Sequence, residues 1–249
     1  MKEEKPIIYT LKFFLIALLT GVIISLVGMT FGKLIEKRIN NSSVPAFTKN
    51  EDISVVIDAG HGGEDAGAIA SDGTYEKDLN LEISNLVKAL CILNGMNVKM
   101  TRESDVLLYD YYGDLENYKG QKKIYDLKNR VKIAHESPNA IFVSIHMNKF
   151  PESKYSGTQI YYSKNNDSSK DVASNLSKSI KKFLQPSNKR QIKPASSSIY
   201  VLDKIKNPAI LIECGFLSNE MELENLKNEE YRASLALVIF QTICENKNA

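Results

Sequence analysis

The sequence predicts an α/β fold in which a mostly parallel, twisted sheet carries helices on both faces. Short apolar runs alternate along the chain with segments whose apolar residues recur at helical spacing, and this alternation is typical of βαβ units. The first run, Ile53 to Ala59, ends at a glycine-rich turn, as a buried strand does where it leaves its sheet. Ligands of such folds collect beyond the carboxyl ends of the strands, so we expect the functional residues at that edge.

The remaining elements follow the same alternation. Apolar residues at three- and four-residue spacing predict helices over four segments: Leu79 to Leu93, Leu127 to Ala134, Val172 to Phe183 and Tyr231 to Ile239. Gly95 is placed to end the first helix. Further apolar runs predict five more strands: Asn97 to Arg102, Ala140 to Ile145, Gly157 to Tyr162, Ile199 to Leu202 and Ala209 to Ile212.

The N-terminal part of the chain predicts a membrane segment. An uncharged run from Phe13 to Gly32 would span roughly 30 Å as a helix, which is the thickness of bilayer hydrocarbon. A signal peptide has a shorter apolar region and a small-residue cleavage site, so an uncleaved anchor is favoured. We therefore expect a short tail and anchor, or signal segment, over 1–33, a linker over 34–52 and one catalytic domain over 53–249.

Composition limits the kinds of partner and site. The formal net charge is +2, with 32 basic and 30 acidic residues, which argues against a nucleic-acid partner. Cys91, Cys214 and Cys244 form no C-x-x-C pair, which argues against a thiolate metal cage and a disulfide framework. A metal would have to use carboxylates and histidines, and the chain has three histidines.

Three polar residues fall at the predicted carboxyl ends of strands. His61 follows the first strand, His146 ends the strand after Ala140, and Glu213 ends the strand after Ala209. Because parallel strands end at one edge of the sheet, we expect these three side chains to lie close together. Glu213 follows three apolar residues, and partial burial there would raise its proton affinity toward that of a general base.

Two histidines with one carboxylate would complete the protein ligands of a tetrahedral zinc ion and leave a fourth position open. Glu76 is the best candidate for that carboxylate, because the chain returns there from the loop that starts at His61. Glu64 and Asp65 lie in the same loop, and spacing alone does not decide among the three.

Other catalytic motifs fail in this sequence. The glycine-rich turn at 60–65 lacks the third glycine of a dinucleotide fingerprint, and His135 has no second histidine at metalloprotease spacing. Cys214 beside Glu213 could be proposed as a nucleophile, but alternation along a strand would direct it to the opposite face. The tyrosine-rich loop from Glu103 to Gln121 is either ordinary packing or a binding segment.

The chain resembles the zinc-dependent N-acetylmuramoyl-L-alanine amidases over about residues 53–245. Five blocks carry the resemblance in the order of the family: Val56 to Gly63, Glu76 to Asn80, Thr101-Arg102, Ser144 to Asn148 and Ile212 to Asn219. The resemblance implies Zn²⁺ held by His61, Glu76 and His146, and Glu213 as the catalytic carboxylate. It also implies hydrolysis of the amide between N-acetylmuramic acid and L-alanine in peptidoglycan.

Within that family, a lone catalytic domain behind a hydrophobic segment is most similar to the germination-specific amidases of spore-forming bacteria. That similarity implies an extracytoplasmic enzyme that acts on spore cortex, in the space between forespore and mother cell. Its action would lead to muramic-lactam together with that of a peptidoglycan deacetylase. An activating protein is a further expected partner, besides the membrane. A vegetative or division-related wall amidase and a non-catalytic wall-binding activator remain the alternatives.

Overall fold

The computed structural model describes residues 54–112 and 120–246. The predicted membrane segment and linker lie outside these residues, as does Ile53, the first residue of the predicted catalytic domain. Within the described ranges, no helix is both long enough and apolar enough to cross a membrane.

The described residues form six strands and six helices. The strands are β1 (Val55–Ala59), β2 (Val98–Met100), β3 (Ile141–Asn148), β4 (Gln159–Tyr162), β5 (Lys193–Pro194) and β6 (Ala209–Phe216). The helices are α1 (Glu76–Leu93), α2 (Lys122–His135), α3 (Ser168–Phe183), α4 (Tyr200–Lys204), α5 (Glu220–Lys227) and α6 (Glu229–Glu245).

All six strands form one sheet in the order β2-β1-β3-β6-β4-β5. The first four strands in this order run parallel, whereas β4 pairs with β6 antiparallel and β5 runs parallel to β4. The predicted α/β class with a mostly parallel sheet is therefore confirmed. The central strands are almost continuously apolar because helices cover the sheet on both faces.

Two apolar cores occupy the two faces of the sheet. On one face, Ile57, Val143 and Ile212 pack with residues of α1, α3, α5 and α6. On the other face, Phe142 and Leu211 pack with residues of α2 and α4. Because side chains alternate along a strand, β1, β3, β4 and β6 each supply both cores. The polar residues at the carboxyl ends of these strands divide between the two faces in the same way.

The end of α1 is as its sequence predicts. Gly95 has a φ of 72°, its N–H donates to Ile92, and the N–H of Met96 donates to Cys91. This pair of hydrogen bonds is a Schellman motif, in which glycine adopts the left-handed conformation without a Cβ penalty.

Three details of the predicted element order are wrong or incomplete. The two-residue strand β5 was not predicted. The run from Ile199 to Leu202 is not a strand; residues Tyr200–Lys204 form α4, because Val201 and Leu202 are buried against α2 rather than paired in the sheet. Helix α5 was not predicted. Its N-cap, Asn219, accepts a hydrogen bond from Glu222 N at 3.1 Å, which is a common helix start.

Candidate metal centre

His61 enters the centre from the turn that follows β1. Its φ of 61° is the one positive value of a non-glycine residue in the described ranges, a conformation that costs free energy for such a residue. Arg130 Nη2 donates to the His61 carbonyl at 2.7 Å, which holds the turn in place. The imidazole then directs Nε2 to within 3.2 Å of Glu76 Oε1.

His146 and Glu76 complete the group from two other elements. His146 lies near the end of β3, and its Nδ1 is 3.0 Å from Glu76 Oε1. Glu76 is the first residue of α1, where the helix dipole favours a carboxylate. Its two oxygens also accept hydrogen bonds from Met147 N at 3.0 Å and Ala68 N at 2.7 Å. The carboxylate is therefore fixed between the two histidines.

The three side chains form a compact set of donors. One ligand atom of each, from His61, Glu76 and His146, lies within 4.8 Å of the other two. Two glycines leave the space that this packing needs. A Cβ at Gly60 would lie 2.2 Å from the His146 ring, and a Cβ at Gly67 would lie 2.6 Å from Glu76 Oε2.

The charges of the centre are strongly coupled. Burial alone would lower the pKa of His61, but hydrogen bonds to Asp65 and Glu76 raise it to about 9. Burial alone would raise the pKa of Glu76, but the hydrogen bonds of His146 and His61 hold it well below its usual range. Glu76 is therefore a stable anion in a buried site, which is a favourable place for a cation.

Glu213 lies beside this group on β6. It is the register partner of His146, so the two side chains share a face of the sheet. Burial, followed by the negative charge of Glu76, raises the pKa of Glu213 to about 8, against a lowering effect of His61. Its Oε2 atom is buried and has no hydrogen-bond partner among the described residues. An unpartnered buried carboxylate oxygen needs a proton, water or substrate as its partner.

Comparison with known proteins identifies the family of this chain. A sequence model described as N-acetylmuramoyl-L-alanine amidase matches residues 55–245, and this range contains the three metal-type donors and Glu213. The chain belongs to this amidase family. The family that the sequence blocks predict is therefore confirmed.

Individual amidases support the same assignment. The chain is 33% identical over 191 residues to the germination-specific N-acetylmuramoyl-L-alanine amidase of Bacillus subtilis, covering 76% of this chain and 77% of that protein. It is similar to the CwlD amidase of Clostridioides difficile, solved in complex with the GerS lipoprotein, at 40% identity and a TM-score of 0.71, covering 77% and 96% of the two chains. The amidase AmiC2 of Nostoc punctiforme matches at 30% identity and a TM-score of 0.63, covering 78% and 97%.

In this amidase, the alternative carboxylates lie away from the shared donor position. Glu64 is exposed and pairs with Lys122 at 2.7 Å. Asp65 contacts the other side of the ring, with Oδ2 at 2.9 Å from His61 Nδ1. Glu76 is the carboxylate that lies close to both histidines.

A buried ionic network under the His61 turn was not predicted. Arg130 donates to Asp58 and, at 2.8 Å, to Asp126. Asp58 also accepts hydrogen bonds from Ser144 at 2.6 Å and from Thr101 at 2.7 Å. Burial alone would raise the pKa of Asp58, but the charge of Arg130 keeps it below its ordinary value. A signal for this network existed, because a charged residue inside a buried strand requires partners.

Arg102 is the second cation that holds the site. It donates to the carbonyls of Ala59 at 2.8 Å, Gly60 at 3.0 Å and Lys77 at 2.8 Å. It therefore ties the end of β1 to the first turn of α1, the two elements that carry His61 and Glu76. The resemblance included Arg102 in a block, but its sequence position did not indicate this role.

The rejected candidates do not join the group of three donors. Cys214 is fully buried in the core on the opposite face from Glu213, and burial raises the pKa of its thiol. His135 is exposed at the end of α2. The described part of the tyrosine-rich loop is packed on α2, since Leu108 is buried and exchanges hydrogen bonds with Asp126 and Asn129.

Proposed function

We propose that this chain is a zinc enzyme that hydrolyses the amide between the lactyl group of N-acetylmuramic acid and the L-alanine of the peptide stem. The observation that carries the proposal is the convergence of His61, Glu76 and His146, in a chain of the amidase family, with Glu213 on the adjoining strand. No other group of three such donors that could hold a metal was found in residues 54–112 and 120–246.

The donors fit zinc by their chemistry. Two imidazoles and one carboxylate suit three positions of a tetrahedral zinc ion, and a catalytic site keeps the fourth position for water or substrate. The space that Gly60 and Gly67 leave open lies against these same side chains. When bound there, zinc would act as a Lewis acid toward the water and the scissile carbonyl.

Glu213 is the residue that we assign to proton transfer. A neighbouring cation lowers the pKa of a carboxyl group, so the metal-loaded site favours the ionised form that a base needs. Glu213 then removes a proton from the attacking water and gives a proton to the departing amine of L-alanine. Its Oε2 atom has no hydrogen-bond partner among the described residues, which supports this role.

The biological setting that we propose is the spore cortex, where loss of the peptide stem would lead to muramic-lactam. The germination-specific amidase of Bacillus subtilis supports this assignment by similarity. We further propose an extracytoplasmic location, with anchorage through the uncharged run at 13–32, and an activating partner. The related CwlD amidase is in complex with a lipoprotein, which supports a partner of that kind.

The experiment uses the purified full chain. Metal analysis should find about one zinc per chain, and incubation with cortex peptidoglycan should release new N-terminal alanine. A chelator should abolish the release and added zinc should restore it. Thiol alkylation should have no effect, since Cys214 takes no part.

Each outcome discriminates among the candidates. Zinc binding without release of amino termini, with or without candidate lipoprotein partners, would favour a non-catalytic wall-binding protein. Release from vegetative wall but not from cortex would reject the spore role and keep the amidase. Inactivation by alkylation together with resistance to chelators would reject the zinc mechanism.

A further inference from the structure

A groove of about 680 Å³ opens at the same edge of the sheet as the metal centre. We call it the basic groove, and it lies between residues 154–157, which precede β4, and residues 184–190, which follow α3. Because β4 runs antiparallel to β6, its first residues lie at the edge where β3 and β6 end. The groove and the metal centre therefore face the same side of the domain.

The separation of the groove from Glu213 suits a peptide. Phe216 is the last residue of β6 and follows Glu213 by three positions, or roughly 10 Å along a strand. The guanidinium of Arg190 lies 4.5 Å from the centre of the Phe216 ring. About three extended peptide residues span the roughly 10 Å between Glu213 and Phe216.

The groove is cationic. Lys154, Lys189 and Arg190 line it, and Glu222 is the one acidic residue among the described lining residues. Both oxygens of Glu222 are already engaged, since Oε1 accepts from Gly157 N at 2.6 Å and Oε2 accepts from Phe216 N at 2.8 Å. Burial raises the pKa of Glu222, while these two backbone hydrogen bonds and the charge of Arg190 lower it. The three cations of the lining therefore outnumber its one acidic residue.

Two hydrogen bonds hold Arg190 in place at the wall of the basic groove. Its Nε donates to Ser156 O at 2.7 Å, and its backbone N–H donates to Asn188 at 2.9 Å. Its two terminal nitrogens, Nη1 and Nη2, donate to no atom within residues 54–112 and 120–246. A fixed guanidinium with two free donors matches the bidentate geometry of a carboxylate.

The wall of the groove around Arg190 is preformed. Gly157 has a φ of 89°, and a Cβ there would lie 2.8 Å from Asn188 Oδ1. Asn188 donates to Thr158 O at 3.0 Å and to Gln185 at 2.9 Å, and Gln185 donates to Tyr231 at 2.8 Å. A preformed wall lowers the entropy cost of binding.

We propose that the basic groove binds a free carboxylate of the peptide stem and that Arg190 receives it. This inference rests on the proposed amidase function. The stem carries free carboxylates on the leaving side of the scissile amide, whereas the N-acetylated sugar on the other side is uncharged. Arg190 thus sets specificity for an acidic stem and does not take part in bond cleavage.

The test compares two soluble muropeptides that differ in one group, with the acidic residue after L-alanine either as the free acid or as its amide. For the free acid, Arg190→Gln should raise KM roughly tenfold or more, because a hydrogen-bonded ion pair is lost. The value of kcat should stay within about twofold. For the amide, both constants should stay unchanged. Arg190→Lys should give a KM for the free acid between those of the wild type and Arg190→Gln, because lysine keeps the charge and loses the bidentate geometry of the guanidinium.

Lys206→Gln is the matched control. Lys206 is an exposed cation in the segment before β6, at the opposite edge of the sheet, and its loss should leave both KM values unchanged. Lys189→Gln keeps the contacts of Arg190 and should raise KM for the free acid by a smaller factor. This variant serves if Arg190→Gln does not fold by circular dichroism.

The outcomes separate this inference from the proposed function. If the wild type cleaves both muropeptides and Arg190→Gln changes their KM values equally or not at all, the groove assignment is overturned and the amidase stands. If the wild type cleaves neither, the proposed function fails. Calorimetry with the free stem peptide then still tests the groove, since Arg190→Gln should weaken binding of the acid and not of the amide.

Discussion

The carboxylate of Asp65 lies 2.9 Å from His61 Nδ1, on the side of the ring opposite the metal-type donors. Nε2 faces Glu76 at 3.2 Å. A metal bound at Nε2 would leave the imidazole hydrogen on Nδ1, where it would donate to Asp65. Carboxylates in this position orient metal-binding histidines and increase their basicity. Asp65 is in turn paired with Lys123 at 3.3 Å, which links His61 to the surface of α2.

We expect Asp65→Asn to weaken zinc binding by roughly 10- to 100-fold, the usual effect of losing such a partner. Competition with a fluorescent chelator would measure the dissociation constant. Asp72→Asn is the control, since it removes a carboxylate that pairs with Lys227 and contacts neither histidine. Equal affinity in the Asp65 and Asp72 variants would contradict this role.

Gly67→Ala should disrupt the metal centre beyond its effect on the backbone. Gly67 and Gly73 both have positive φ, 68° and 90°, so alanine is strained at either position. A Cβ at Gly67 would lie 2.6 Å from Glu76 Oε2 and 2.8 Å from His61 Cδ2, whereas a Cβ at Gly73 would contact nothing within 4 Å. Gly67→Ala should therefore lose zinc affinity, and Gly73→Ala should lose only about 1–2 kcal/mol of stability, the usual cost of left-handed backbone for a residue with a Cβ. Similar zinc titrations for the two variants would refute the steric argument.

Glu213→Gln should reduce the rate of amide hydrolysis by about 10²- to 10⁴-fold, the usual contribution of a general base. Zinc content should remain the same, because Glu213 is outside the group of three donors. Glu64→Gln removes an exposed carboxylate from the neighbouring turn and should leave the rate within about twofold. Release of muropeptide amino termini measures both variants, and full activity in Glu213→Gln would exclude the assigned role.

The pKa of Glu213 also predicts how stability depends on pH in the zinc-free protein. Its folded-state pKa of about 8 lies above the ordinary value of 4.5, so folding favours the protonated acid. Ionisation therefore removes stability as the pH rises from about 4.5 to about 8. Relative to Glu213→Gln, the free energy of unfolding of the wild type should fall across this window and level off above it. Urea unfolding from pH 5 to pH 9 would show this, and parallel curves would contradict it.

Arg130→Met should destabilise the fold by about 3–5 kcal/mol, because it leaves Asp58 and Asp126 as buried charges without their partner. Lys128→Met changes the exposed side of the same helix and should alter stability by less than about 0.5 kcal/mol. The free energy of unfolding in urea measures both. A small effect of Arg130→Met would mean that the two aspartates take up protons at little cost.

The sequence predicted the sheet and most of its helices because their signals are local. The apolar runs and the helical spacing depend on which residues face a core. Helix α1 ends before Gly95 because glycine adopts a positive φ without strain. The run from Ile199 to Leu202 was wrong as a strand, because four apolar residues fit either element and packing on α2 decided for a helix.

For the metal centre, the sequence by itself brought His61, His146 and Glu213 to one edge, since parallel strands end together. Local spacing favoured Glu76 without excluding Glu64 or Asp65, and the family resemblance chose among them. Only the tertiary structure put Glu76 between the histidines, Asp65 behind His61, and Arg130 and Arg102 beneath the turn. These contacts join residues that are up to 72 positions apart, and their distances depend on how helices dock on the sheet, which a local pattern does not encode.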